Sequence, residues 1–193
     1  MRLSILAGLL ILGAAPAAAS AQRDDQFVFG FSGGATIPSG LASDLHETGP
    51  HGMLSWGIGM VDSPWGIRFD GAYSVLGEKT RTIVAPGGPI ETSQGKAKLF
   101  VLSGSAIFNI YGSNTHLYAI GGLGGYWYNP DGQGTSAKND LAIQAGLGLY
   151  LPGVHAFIEA KWQNLYRALP DPNTGVNGKK SARLYPVTLG ILF

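Results

Sequence analysis

Residues 99–110 read LFVLSGSAIFNI. Phe100, Leu102, Gly104, Ala106, Phe108 and Ile110 fall on one side of a two-residue repeat, and Ser103, Ser105 and Asn109 fall on the other. That period belongs to a β-strand, whose successive side chains point to opposite faces. A helical reading fails just beyond it. Residues 99–130 carry no charge, but Gly104, Gly112, Gly121, Gly122, Gly124 and Gly125 would weaken any helix built there.

Outward from this segment, β-branched, aromatic and Gly-rich stretches recur between turn signals. They predict eight strands, at 26–36, 52–60, 66–76, 98–111, 116–128, 140–150, 155–166 and 183–193. Three connections are short: 61–65, 112–115 and 151–154. Four are longer and more polar: 37–51, 77–97, 129–139 and 167–182. Long and short connections alternate, as they do in a closed antiparallel up-and-down barrel that crosses a membrane, with tight turns at one end and loops at the other. An even number of strands brings both termini to the short-turn end.

Charge decides which face points outward. Away from strand ends, the predicted strands hold only Arg68, Asp70, Glu159 and Lys161. Four charges cannot solvate the outside of a soluble, lipocalin-like barrel, whose polar face meets water. They can be housed inside a narrow barrel whose apolar face meets lipid. Gly30, Gly34, Gly57, Gly59, Gly122, Gly124, Gly146 and Gly148 lie on the less apolar faces, and an eight-stranded interior has room only for packed, small side chains.

Composition narrows the function classes. Gly supplies 30 of 193 residues, well above the usual share of about 7%. The absence of Cys excludes disulfide scaffolds, thiol enzymes and Cys-based zinc sites. The formal charge is only +1, with no basic cluster to neutralise phosphates, so the sequence does not read as nucleic-acid binding. Residues 1–21 combine Arg2, an apolar run from Leu3 to Ala15 and a small-residue end at Ala19-Ser20-Ala21. This is the pattern of a cleavable export signal, leaving residues 22–193 as one barrel domain. Aromatic residues gather near the expected interfaces. Tyr73, Tyr126, Trp127, Tyr128, Trp162, Tyr166 and Tyr185 lie toward the loops, and Phe27, Trp65, Tyr111, Tyr118, Tyr150 and Phe193 toward the turns.

The last strand, RLYPVTLGILF (183–193), alternates apolar residues and stops on an aromatic. YAIGGLGGY (118–126) carries a Gly-Gly-x-Gly element. Together these resemble the small eight-stranded bacterial outer-membrane β-barrel family, the OmpA/OmpX-like and opacity-like porin-family domains. The resemblance implies residence in the outer membrane of a Gram-negative envelope, with both mature termini periplasmic. It also implies contact with outer-membrane lipid and lipopolysaccharide. It makes Tyr185 and Phe193 part of a C-terminal signal read by the barrel-insertion machinery.

Candidate chemistry centres on the four strand charges. Arg68 and Asp70 share a face of the third strand, and Glu159 and Lys161 a face of the seventh, four places round a ring of eight. Buried charges require partners, so Arg68 is expected opposite Glu159 and Asp70 opposite Lys161. The arrangement reads as a packed polar core, with a gate on a narrow ion or solute path as its alternative. His46, His51, His116 and His155 do not build a catalytic motif. A lipid A deacylase would resemble His-x-Ser, and the residues two places on are Thr48, Met53, Tyr118 and Phe157. His155 shares a face with Glu159 in this reading, without a serine to complete a triad. His46 and His51 fall in a polar first loop beside Asp44 and Glu47, and solvation there is expected over metal binding. No catalytic, cofactor or metal site is expected. The fourth loop, with Lys179 and Lys180, is expected to be a solvated surface loop, with contact to anionic lipopolysaccharide as its alternative. A monomer is the expected state, acting through its loops.

Overall fold

The protein, described from a computed structural model, is an all-β closed eight-stranded antiparallel barrel. The structure describes residues 27–59, 64–85, 88–110, 116–130, 138–171 and 175–193. The predicted leader, Tyr111 and the 112–115 turn lie outside them. The strands are β1 (Phe27–Ser39), β2 (His46–Glu47), β3 (Gly49–Ile58), β4 (Trp65–Ala85), β5 (Gly88–Gln94), β6 (Ala97–Ile110), β7 (His116–Pro130), β8 (Lys138–Leu151), β9 (Ala156–Asp171) and β10 (Gly175–Leu192). A helix, α1 (Leu41–Leu45), precedes β2.

The ring runs β1–β3–β4–β6–β7–β8–β9–β10 and closes on itself, with Phe31 paired to Ile191. Backbone bonds seal the last residue into the ring: Phe193 N–H donates to Phe29 O at 2.7 Å, and Phe29 N–H donates to Phe193 O at 3.1 Å. Closure leaves no free strand edge around the wall, the condition for backbone polar groups to sit in hydrocarbon.

Several strands outrun their predicted ends. β4 has 21 residues, about twice the length needed to cross a bilayer. Its far third, Lys79–Ala85, pairs with β5 as a hairpin standing above the wall, where the sequence suggested a long polar loop. β9 and β10 extend likewise into the predicted fourth loop. Thr- and Val-rich runs such as Thr80–Val84 favour strands whether or not a barrel wall supports them.

The first loop is folded, not solvated. α1 packs on β1, β4 and β10, burying Ala42 with Leu41 and Leu45 against the mouth of the barrel. Lys79 Nζ donates to the Ser43 carbonyl and ties α1 to β4. His51 is not in this loop at all. It sits in β3 and points into the lumen, because its parity along the strand matches that of Met53 and Ser55.

Candidate functional site: a layered, closed lumen

The alternation read in residues 99–110 orients the whole wall. Leu102, Leu123, Leu147, Ile158 and Leu189 face outward, with Leu123 63% exposed and Leu189 64%. Arg68, Asp70, Glu159 and Lys161 face inward and are each 3% exposed or less.

These four side chains meet at the centre of the lumen. Arg68 Nη2 lies 2.8 Å from Glu159 Oε1, and Lys161 Nζ lies 3.2 Å from Asp70 Oδ2. Each cation also reaches the other carboxylate: Arg68 Nε is 2.9 Å from Asp70 Oδ1, and Lys161 Nζ is 3.0 Å from Glu159 Oε1. The quartet is therefore a four-membered network of zero net charge. Neutral donors take up further lone pairs. Tyr118 Oη donates to Glu159 Oε2 at 2.8 Å, and Ser55 Oγ donates to Asp70 Oδ1 at 2.7 Å. Lys161 Nζ also approaches Met53 Sδ at 3.4 Å.

The neighbours on adjacent strands make this possible. Arg68 is flanked by Gly57 and Ser105, Asp70 by Ser55 and Ser103, and Glu159 by Gly148 and Thr188. Small residues beside each charge leave room for long side chains to cross the lumen.

Neutral polar side chains continue the layer. Gln144 Nε2 donates to Ser103 Oγ at 2.9 Å and to Ser105 Oγ at 2.8 Å, while Gln163 Nε2 donates to Gln144 Oε1 at 2.9 Å. His51 is held between hydroxyls, Nδ1 at 3.3 Å from Thr36 Oγ1 and Nε2 at 3.1 Å from Thr188 Oγ1, with Ser74 Oγ 3.0 Å from Thr36.

Apolar layers close both ends. Toward the short turns lie Val28, Met53, Ile107, Ile120, Phe157 and Leu192. Toward the loops lie Leu76, Leu99, Val101, Leu165, Leu169 and Leu184, capped by α1. Beside Arg68, between Tyr118, Tyr150 and Phe157, the cavity measures only about 10 Å³, the space of one water. The glycines on the less apolar faces pointed to an interior of small side chains; Leu99, Val101 and Ile107 share the inward parity of Ser103 and Ser105 on β6 and make the lumen amphipathic along its axis.

Other expectations need correction. Tyr118, Tyr126, Tyr128 and Tyr150 turn inward and are buried, so they do not belong to an exterior girdle. Tyr126 Oη donates to the Tyr166 carbonyl, at a break in regular pairing where Arg167 adopts φ 57°. Of the aromatic residues expected at the interfaces, Phe27, Trp65 and Phe193 stand exposed toward the turns, and Tyr73, Trp127, Tyr166 and Tyr185 toward the loops. His155 is in a left-handed turn conformation and exposed, and does not share the lumen with Glu159. His46 is buried, with Nε2 against Tyr128 Oη and Nδ1 without a partner. Burial holds its imidazole below the ordinary value. His46 and His51 engage different partners, and no cluster of three or more His, Asp or Glu side chains suited to a metal occurs among the described residues. Tyr185 stands exposed on β10, and the Phe193 ring stacks on Phe31 with centroids 5.5 Å apart. Lys180 is exposed at the loop end; the side chain of Lys179 lies outside the described residues.

An apolar exterior, an ionised interior and a closed strand ring define the class: an eight-stranded barrel built for a lipid surround. The same fold occurs in the crystal structure of Neisserial surface protein A (NspA), which aligns at a TM-score of 0.54 and 16% identity over 88% of this chain and 98% of that one. Looser matches are Ail, the attachment invasion locus protein of Yersinia pestis, solved in complex with the heparin analogue sucrose octasulfate (TM-score 0.45, 16% identity, 88% and 97% of the two chains), and the outer-membrane enzyme PagL (0.48, 11%, 86% and 99%). No family model matches the chain, and no curated protein does.

Proposed function

We propose that this protein is an integral barrel of the bacterial outer membrane, with both mature termini periplasmic, whose lumen is a structural core and whose non-catalytic role is carried by the loop end. One observation carries the reading: the neutral ionic quartet is shut between two apolar layers, and the cavity beside Arg68 has space for about one water. An ion crossing that path would have to shed its hydration against Leu99 and Leu165 on one side and Phe157 and Leu192 on the other, at a cost of many kcal/mol. The hydroxyl–imidazole contacts of His51 are enclosed in the same core, so no substrate reaches them. Tyr185 and Phe193, outward on the closing strand, are the residues offered to the insertion machinery, and outer-membrane lipid and lipopolysaccharide are the surrounding partners.

The test is a pair of measurements on the refolded full chain. Migration on unheated gels as a compact, detergent-resistant form, with recovery in outer-membrane fractions, is expected. A planar bilayer carrying it should stay silent; regular unitary conductance steps would replace the structural role with that of a narrow pore. Changed lipid A acylation in a strain overproducing the protein would replace it with an enzymatic one.

A further inference from the structure

On the loop end of the wall, three adjacent strands present an arrangement shaped like one amphiphile. Register aligns Tyr73, Phe100 and Trp127 in a row across β4, β6 and β7, all exposed, with the Phe100 and Trp127 rings 5.6 Å apart. Two residues nearer the loops, the next outward row is Val75, Lys98 and Asn129, and Lys96 stands beyond it; Lys96, Lys98 and Asn129 are exposed. Two residues deeper, Leu102 stands between Gly71 and Gly125. A Cβ on Gly125 would meet nothing within 4 Å, so a furrow runs beside Leu102. Among the described residues, the rows that flank these rings carry Lys96 and Lys98, and the Glu78 carboxylate stands exposed farther along β4. Toward the turn end the described outward residues of the same strands include Trp65, Ile67, Phe108, Ile110 and Leu117, all apolar.

We propose that this face is a binding site for a phosphate-bearing anionic lipid of the leaflet on the loop side. Lys96 and Lys98 hold the headgroup phosphate, Phe100 and Trp127 lie against the linking region, and an acyl chain runs in the furrow at Gly125. The argument is one of matched order along a single normal: cations, then amphipathic rings, then an apolar groove. Juxtamembrane cations attract anionic headgroups, and rings with polar edges settle at the same depth. The inference rests on the membrane reading above.

Trp127 is the built-in reporter. The full chain is refolded into vesicles of phosphatidylcholine and phosphatidylglycerol, with bromine carried on the acyl chains of one lipid or the other. Subtracting the signal of a Trp127→Phe variant isolates the quenching at this ring. The expected result is several-fold stronger quenching by brominated phosphatidylglycerol at equal mole fraction, falling toward parity in 1 M salt and in the Lys96→Gln/Lys98→Gln variant. Equal quenching by both lipids in the parent protein overturns the proposal, as does a preference unchanged in the double variant. The salt titration on the parent decides the matter if that variant does not insert. Failure of the parent to enter vesicles at all would instead overturn the membrane reading, so the two failures are distinguishable.

Discussion

Tyr118 occupies the space that a side chain at residue 148 would need: a Cβ on Gly148 would fall 2.1 Å from Tyr118 Cζ and 2.3 Å from its hydroxyl. That room lets the hydroxyl reach Glu159. Gly148→Ala therefore overfills the lumen and displaces the ring from the quartet. The expected loss is about 1–3 kcal/mol, read as an earlier midpoint in urea unfolding from vesicles. Gly121→Ala, where a Cβ meets nothing, should leave the midpoint nearly unchanged.

Removing one member of the quartet strands its partner. Arg68→Met leaves Glu159 and Asp70 sharing Lys161, and should cost about 3–5 kcal/mol. The Arg68→Met/Glu159→Met double variant should cost less than the sum of the two single variants, because no uncompensated carboxylate or guanidinium remains at that contact. A double-mutant cycle by urea unfolding measures the coupling. Strict additivity would show that the 2.8 Å pair is not energetically linked.

The wall can be probed by depth. Leu123 pairs with Gly104, midway between the aromatic rows at Phe100 and Phe108 on β6, and points to lipid. Leu123→Arg should cost about 2–4 kcal/mol, and Leu102→Arg, nearer the headgroups, less. The opposite order would misplace the membrane along the barrel.

The first loop should respond to acid. Burial depresses the His46 imidazole, so the folded state binds its proton less readily than the unfolded chain does. The stabilisation held by neutral His46 is complete above the ordinary imidazole value of about 6.5 and is lost as pH falls below it. Backbone hydrogen bonds at Gly77 and Gly95 oppose the shift without reversing its sign, and the charged groups nearby are Glu47, Glu78 and Lys79. Hydrogen exchange at Ala42–Leu45 should accelerate between pH 7 and pH 5, and His46→Gln should flatten the response.

The barrel was legible because its wall obeys a local rule. Alternation in residues 99–110 and the even scatter of turns follow from neighbours along the chain, and the shortage of strand charges settles which face meets lipid. The lengths of β4, β9 and β10 were not legible, since propensity marks a strand but not how far it rises beyond the membrane. The inward turn of Tyr118 and Tyr150 follows from parity with Ile120 and Gly148, but β7 is apolar or Gly on both faces and its parity cannot be assigned by hydropathy. The burial of His46 depends on α1 folding back over the mouth, a contact between distant strands that no short window contains.

Arg68 and Asp70 are two residues apart on β4, and Glu159 and Lys161 two apart on β9, so each strand carries its own plus and minus before the ring exists. The contacts between strands join residues 91 positions distant and form only when the sheet has curled shut. A half-built sheet would bring two bare dipoles to the bilayer's edge with nothing across from them. Curling and entry are thereby bound into one event: hydrocarbon admits the chain as a finished cylinder, and turns away its pieces.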